Sequence, residues 1–182
     1  MRFLRRFVLM LMVVGGGVLF SQAPELSQQY RQRLGGAIDE LTTIIQNFDE
    51  QANHNGLDRQ AALNTYGISS EKFLRSQGDA MRQSFDRYED LTEQLAHLTA
   101  ASPILRPLVV AQSPDPKTLA NAWRDFVPGV PVSVAGLVWA MFGAVVGLMV
   151  SVIVIIFLQA TVTVARRSSR RAPSTVTTGA LR

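Results

Sequence analysis

VAGLVWAMFGAVVGLMVSVIVIIFL, residues Val134–Leu158, is a run of 25 residues without a charge, and only Ser151 in it is markedly polar. As a helix rising about 1.5 Å per residue it measures roughly 37 Å, enough to cross a hydrocarbon core of ~30 Å with some tilt. A helix at the surface of a water-soluble domain carries a polar face, and this run has none. The stretch predicts a membrane span over residues 134–160. The rest of the chain is read outward from it.

Charge is distributed around that span in a telling way. All 14 acidic residues lie between Glu25 and Asp125, where 10 Lys/Arg leave a net charge of −4. The other basic residues are Arg2, Arg5, Arg6, Arg166, Arg167, Arg170, Arg171 and Arg182, all at the chain ends and outside the hydrophobic runs. This is the positive-inside pattern applied twice, and it places both ends in the cytoplasm. A mildly acidic middle speaks against nucleic acid as a partner. With no cysteine, disulfides, thiolate metal sites and cysteine nucleophiles are excluded. Only His54 and His97 are present, too few for a histidine-rich metal centre, and no cofactor is expected.

Residues 1–23 read MRFLRRFVLMLMVVGGGVLFSQA, three arginines before an apolar run from Phe7 to Phe20. Ser21 and Ala23 have the spacing of a signal-peptide cleavage site. Pro24 would follow the cut and blocks it, so the segment is read as an uncleaved signal-anchor helix. Gly15-Gly16-Gly17 lacks the Lys-Ser/Thr of a phosphate loop and reads as a place where another helix packs closely. Residues 24–133 then face the far side of a bacterial inner membrane, the periplasm.

That middle segment reads as helices. Leu26, Tyr30, Leu34, Ala37, Leu41, Ile44, Phe48 and Ala52 recur every three or four residues, one stripe of a long helix. Gly35-Gly36 interrupt it, as a site of close helix contact or as a hinge or docking notch. Asp58 is positioned to cap a short helix ending near Gly67. Ser70 is read as the N-cap of a second long helix to Thr99, with Leu74, Gln77, Met81, Ser84, Tyr88, Leu91, Leu95 and Leu98 as its stripe. An Arg82–Asp86 pair is expected on its surface. Matched lengths predict an antiparallel, coiled-coil-like helical hairpin. Four prolines make residues 101–116 an irregular connector, whose apolar part either packs under the hairpin or dips into the headgroup zone. Asp115-Pro116 starts a short third helix towards Phe126, with Leu119, Trp123 and Phe126 on one side. Trp123 and Trp139 flank the span as an aromatic belt does. The fold class expected is therefore all-α: two transmembrane helices flanking an extracytoplasmic hairpin and a short third helix.

Within the span, Gly143 and Gly147 form a GxxxG match extended by Ser151. It serves packing against the first span or self-association. Residues 161–182 read as a basic, disordered cytoplasmic tail.

PEL-SQQYRQRLGGAIDEL (Pro24 to Leu41) and WRDFVPGVP (Trp123 to Pro131) resemble the hallmarks of a proteobacterial family of small two-span inner-membrane proteins, a domain of unknown function. The resemblance covers about residues 3–160. It implies no activity, only interaction candidates: Gln29, Tyr30, Arg33, Leu34, Gly35, Gly36 and Glu40. Gly15, Gly16, Gly17, Gly143, Gly147 and Ser151 are the candidates for packing in the membrane.

The leading expectation is a non-enzymatic scaffold whose partners are the lipid bilayer and a membrane or periplasmic protein, or a second copy. A sensor-like module is the alternative; no output domain follows the second span in this sequence, so its signal would pass through a membrane partner. An envelope enzyme is third, with Glu25, Asp39, Glu40, His97 and Asp125 as its only acid or base groups. Topology is checked by reporter fusions at residue 55 and at the C-terminus. They are expected to report opposite sides of the membrane, and a common side refutes the assignment.

Overall fold

The computed structural model describes residues 2–169. They form seven helical segments and no strand: α1 (Arg2–Ser21), α2 (Ala23–His54), α3 (Arg59–Gly67), α4 (Lys72–Ala100), α5 (Arg106–Gln112), α6 (Pro116–Arg124) and α7 (Val134–Ser169). The chain divides into two compact units, Met1–Phe20 with Ala140–Arg182, and Ser21–Trp139. Two helical stretches, Arg5–His54 and Val134–Phe157, include windows long and apolar enough to cross a membrane.

In the first unit α1 and α7 meet through glycine. A side chain at Gly16 would run into the carbonyl oxygen of Gly143, and one at Gly147 into the carbonyl oxygen of Met12. Gly17 lies against Ala140 and Ala144, and Phe20 meets Phe142 edge-on at 5.5 Å. Bare backbone at these positions is what permits the approach. Gly15 is different: nothing lies within 4 Å of where its side chain would be. Ser151 is fully buried and donates to the Leu148 carbonyl at 2.7 Å, so its hydroxyl is satisfied within its own helix. The helix does not stop at residue 160 but runs through Ser169. Propagating an established helix costs little, and Ala165, Arg166 and Arg167 are good helix formers. The remainder of the expected tail, 170–182, lies outside the described residues.

The second unit is built on α2 and α4, of 32 and 29 residues, roughly 48 and 44 Å long. Tyr30 meets Gln94, while further along α2 Phe48 meets Phe85, so positions on α4 fall as those on α2 rise. The core is Tyr30, Leu34 and Leu41 of α2, Leu91 and Leu98 of α4, Val110 of α5 and Ala122 of α6. Beyond Leu41 the buried line steps to Ile45 and Ala52, leaving Ile44 41% exposed against 8% for Ile45. Steps of three and four are equally helical, and α3, which packs on both long helices and buries Ala62 and Leu63, supplies the cover at that end.

Helix starts follow local chemistry. Asp58 caps α3 by accepting from the Ala61 amide at 2.7 Å, and Asp115 caps α6 by accepting from Thr118 at 2.7 Å. Ser133, unmarked in the sequence reading, accepts from the Gly136 amide at 3.1 Å at the head of α7. Ser70 is not the cap of α4. That helix begins at Lys72 after Glu71; the Ser69 hydroxyl accepts from the Glu71 amide instead, and Arg75 binds the carbonyls of Ser69 and Ser70. Arg82 likewise pairs with Asp79 rather than Asp86, because its guanidinium reaches over to the Leu63 carbonyl at 3.1 Å. Gly78 is buried because α3 crosses there: a side chain would strike Tyr66. The connector is partly ordered, with Pro107 in the first turn of α5. Its apolar residues divide: Val110 is core, while Leu105 and Leu108 are exposed.

The register of the α2 stripe is open to measurement. Ile45→Ala is expected to cost about 2–5 kcal/mol and Ile44→Ala less than about 1 kcal/mol. Denaturant unfolding of the full chain in detergent reads the difference, and equal losses refute the register.

Candidate functional site

The polar chemistry of the second unit converges on Tyr30. Its ring is 0% exposed, yet its hydroxyl has two partners. It donates to Gln94 Oε1 at 2.6 Å and accepts from the Asp115 amide at 2.8 Å. Gln94 Nε2 donates in turn to the Ser113 carbonyl. One heptad earlier on α4, Arg87 grips both carboxylate oxygens of Asp115, at 3.2 and 3.1 Å. The residues seven apart on α4 thus hold the Ser113–Asp115 turn from one side, and Tyr30 of α2 holds it from the other. Such a bidentate pair fixes direction as well as distance.

These contacts shift two ionisations. Burial raises the Tyr30 pKa above 10.0, and the nearby Asp115 charge adds to the rise. Burial also pushes the Asp115 carboxyl up, but its bonds from Thr118 and Arg87 outweigh that, and the net shift is down. A third ion pair sits further along: Arg59 binds Asp49 at 2.9 and 2.5 Å and lies 4.5 Å over the Phe85 ring. The Arg59 hydrogen bond lowers the Asp49 pKa.

The irregular stretch after α6 is fastened along α2. Arg33 binds the Asp125 carboxylate at 2.6 Å. Gln29 Nε2 donates to the Val127 carbonyl at 3.4 Å and to Glu25 Oε1 at 3.2 Å. Gln22 closes the series on both backbone groups of Gly129, donating at 3.1 Å and accepting at 2.9 Å. Eleven helical residues from Gln22 to Arg33 rise about 16 Å, and four extended residues from 125 to 129 cover about 13 Å. Alternate residues of the strap therefore meet the helix at intervals of one turn, from Arg33 to Gln29, and two turns, from Gln29 to Gln22.

The candidate interaction residues fare differently. Tyr30 and Leu34 are core, and Gln29 and Arg33 are engaged within the chain. Glu40 is exposed. Among the described residues nothing lies within 4 Å of a side chain added at Gly35 or Gly36, so no close helix contact is made there. Arg87, Gln94 and Gln22 were not singled out from the sequence, and Asp125 only as an acid or base group, although the heptad between Arg87 and Gln94, beside Leu91 and Leu98, marks those two in retrospect. The five acid or base groups are not assembled into one centre. Glu25 accepts from Gln29, Asp125 is bound by Arg33 and Arg124, His97 lies 4.0 Å from Glu93, and Asp39 and Glu40 are exposed. No metal-binding cluster occurs among the described residues.

Two concavities lie near the start of α2. One, of about 470 Å³, is walled by Glu25, Arg106 and the 129–136 segment. The other, of about 680 Å³, lies between α2, α5 and α6 and is apolar.

Residues 4–167 match the family model described as "Protein of unknown function (DUF2937)", and the chain belongs to that family. Comparison with curated proteins and with solved structures gives no match. The match takes in both stretches that carried the resemblance, and the contacts above show those two stretches bound to each other.

The Tyr30 network makes stability pH-dependent at both extremes. Tyr30 titrates above 10.0 when folded, so its contribution is whole below pH 10.0 and drains as pH rises through the folded value. Asp115 titrates below 3.8 when folded, so its contribution is whole above pH 3.8 and is lost as pH falls through the lowered value. Tyr30→Phe is expected to cost about 1–3 kcal/mol, since the Asp115 amide loses its partner. It should also flatten the alkaline limb of a melting-temperature profile while leaving the acid limb. An alkaline limb unchanged in Tyr30→Phe would show that Tyr30 does not set it.

Proposed function

We propose that the chain is an integral protein of a bacterial inner membrane, spanning it with α1 and α7 and keeping both termini in the cytoplasm. Residues 24–133 form a periplasmic arm, an antiparallel helical hairpin braced by the Ser113–Asp125 turn and strap. Its role is non-enzymatic: it binds a partner protein outside the membrane.

The observation that carries this reading is at the far end of the arm. Ile68 is 86% exposed and Phe73 68% exposed, and Leu74 beside them is exposed too. They lie where α3 gives way to α4, at the end of the helix pair away from Ala23, where α2 begins. Exposed aromatic and aliphatic residues grouped at one end of a polar helix pair are of the kind found at the centre of protein interfaces. The acid and base groups of the arm are spread over separate contacts, which supports a binding role over a catalytic one.

Photocrosslinking residues placed at Ile68 and Phe73 in the intact cell provide the test. Reproducible capture of one protein, weakened by Phe73→Ser elsewhere on the same chain copy, is the expected result. Recovery of uncrosslinked monomer alone from both positions would sink the proposal.

A further inference from the structure

The apolar groove between α2, α5 and α6 has no part in the network around Tyr30. Its walls include Ala23 and Leu26 of α2, Val110 of α5, and Leu119 and Trp123 of α6. Ser27 is the one polar side chain among them, and its hydroxyl is already spent on the Pro24 carbonyl at 2.8 Å. Apart from the indole N–H of Trp123, no side-chain donor, acceptor or charge is left on the lining to hold a polar ligand. At about 680 Å³ the groove falls within the ~300–1,000 Å³ range of small-molecule sites.

We infer that this groove binds an acyl chain of a membrane phospholipid. The inference rests on the two-span reading and adds a ligand to it. Chain connectivity sets the depth. Ala23 lies two residues beyond Ser21, the last residue of α1, and the α2 wall of the groove ends at Ser27. From Ala23 to Ser27 a helix rises only about 6 Å. The headgroup layer adds about 5–7 Å on each side of the hydrocarbon core. Ala23, about 3 Å beyond Ser21, therefore falls within that layer and Ser27, about 9 Å beyond it, at its outer edge, so an acyl chain enters the groove from the Ala23 end without crossing water. Trp123 sits on the wall, 67% exposed and stacked on Phe126 at 6.2 Å. An amphipathic indole at this level matches the residue preference of membrane interfaces. The proline-rich turns of α5 and α6, with Pro107, Pro114 and Pro116 on the lining, keep the walls apart without side-chain donors. Lipid in the groove covers Leu26 and Leu119, apolar residues that the fold only partly buries.

The test uses the full chain in liposomes containing a phospholipid with a photoactivatable diazirine on its acyl chain. Labelled peptides are mapped by mass spectrometry. Label is expected on residues 107–123 as well as on α7. Ala111→Phe and Ala120→Phe each put a ring into the groove from an exposed position. They should cut labelling of 107–123 by about fivefold or more while α7 labelling and the melting temperature stay unchanged. Ala96→Phe, on the exposed face of α4, should change neither. Label on α7 with none on 107–123 overturns the groove site and leaves the two-span reading standing. Equal label on 107–123 in the filled variants also overturns it, since contact with the lipid surface then suffices. A crosslinked protein at 107–123 in native membranes would replace the lipid with a polypeptide occupant. Absence of label from α7 overturns both readings.

Discussion

A buried hydroxyl governs this fold. Tyr30 places a hydrogen-bonding group among Leu34, Leu91 and Leu98, and such a group costs free energy unless it is paired. Pairing it requires Gln94 from α4 and the backbone of Asp115 from a turn 85 residues downstream. The turn cannot reach Tyr30 unless Arg87 holds the Asp115 carboxylate and Asp115 has begun α6. One phenolic oxygen thus sets the spacing of the two long helices, the path of the connector and the direction in which α6 leaves. Apolar contact alone would tolerate sliding of the helices; a fully paired polar network does not.

From that point the chain is steered back along the helix it started from. The strap 125–129 repeats a simple correspondence, two extended residues for every one or two turns of helix, using a carboxylate, a carbonyl and both backbone groups of a glycine as its three anchors. The polar residues of α2 that face the strap are spent on it. The helix pair formed by α1 and α7 is built differently, with glycine backbone against glycine backbone at Gly16 and Gly143. Each solution suits its surroundings. Water competes for the groups on the arm, so they need several partners each. Apolar side chains around α1 and α7 offer no competition, and close approach is enough.

Much of this was legible in the sequence. The uncharged run, the stripes of α2 and α4 and the caps at Asp58 and Asp115 all act through neighbours a few residues away, and local pattern records them. The departures arise from contacts between distant residues. Ile45 displaces Ile44 because of where α3 lies, Gly78 is buried because Tyr66 needs room, and Arg82 turns away from Asp86 because a carbonyl of α3 is in reach. Gln29, Tyr30 and Arg33 stood out as a motif, but nothing local says that their partners are Val127, Gln94 and Asp115, and Asp125. Gly15 drew attention for the same composition as Gly16, yet it looks onto open space; a helix turns through about 100° per residue, so the face that carries Gly16 and Gly17 to α7 leaves Gly15 turned away from it.

The strap also dictates an order of assembly. Its bonds join residues 92, 98 and 107 apart in the chain, and the amide that completes Tyr30 comes from 85 residues away. Contacts of that separation form late, because the loop they close must first be made and its entropy lost. During synthesis α2 therefore emerges and can coil against α4 long before Asp115 and Gly129 exist. Through that interval Tyr30 has only half its partners, and Gln22, Gln29 and Arg33 lack those that the strap supplies. The final residues before α7 do more than lead to the next helix: their arrival completes the domain, so its maturation is timed by delivery of the second apolar segment.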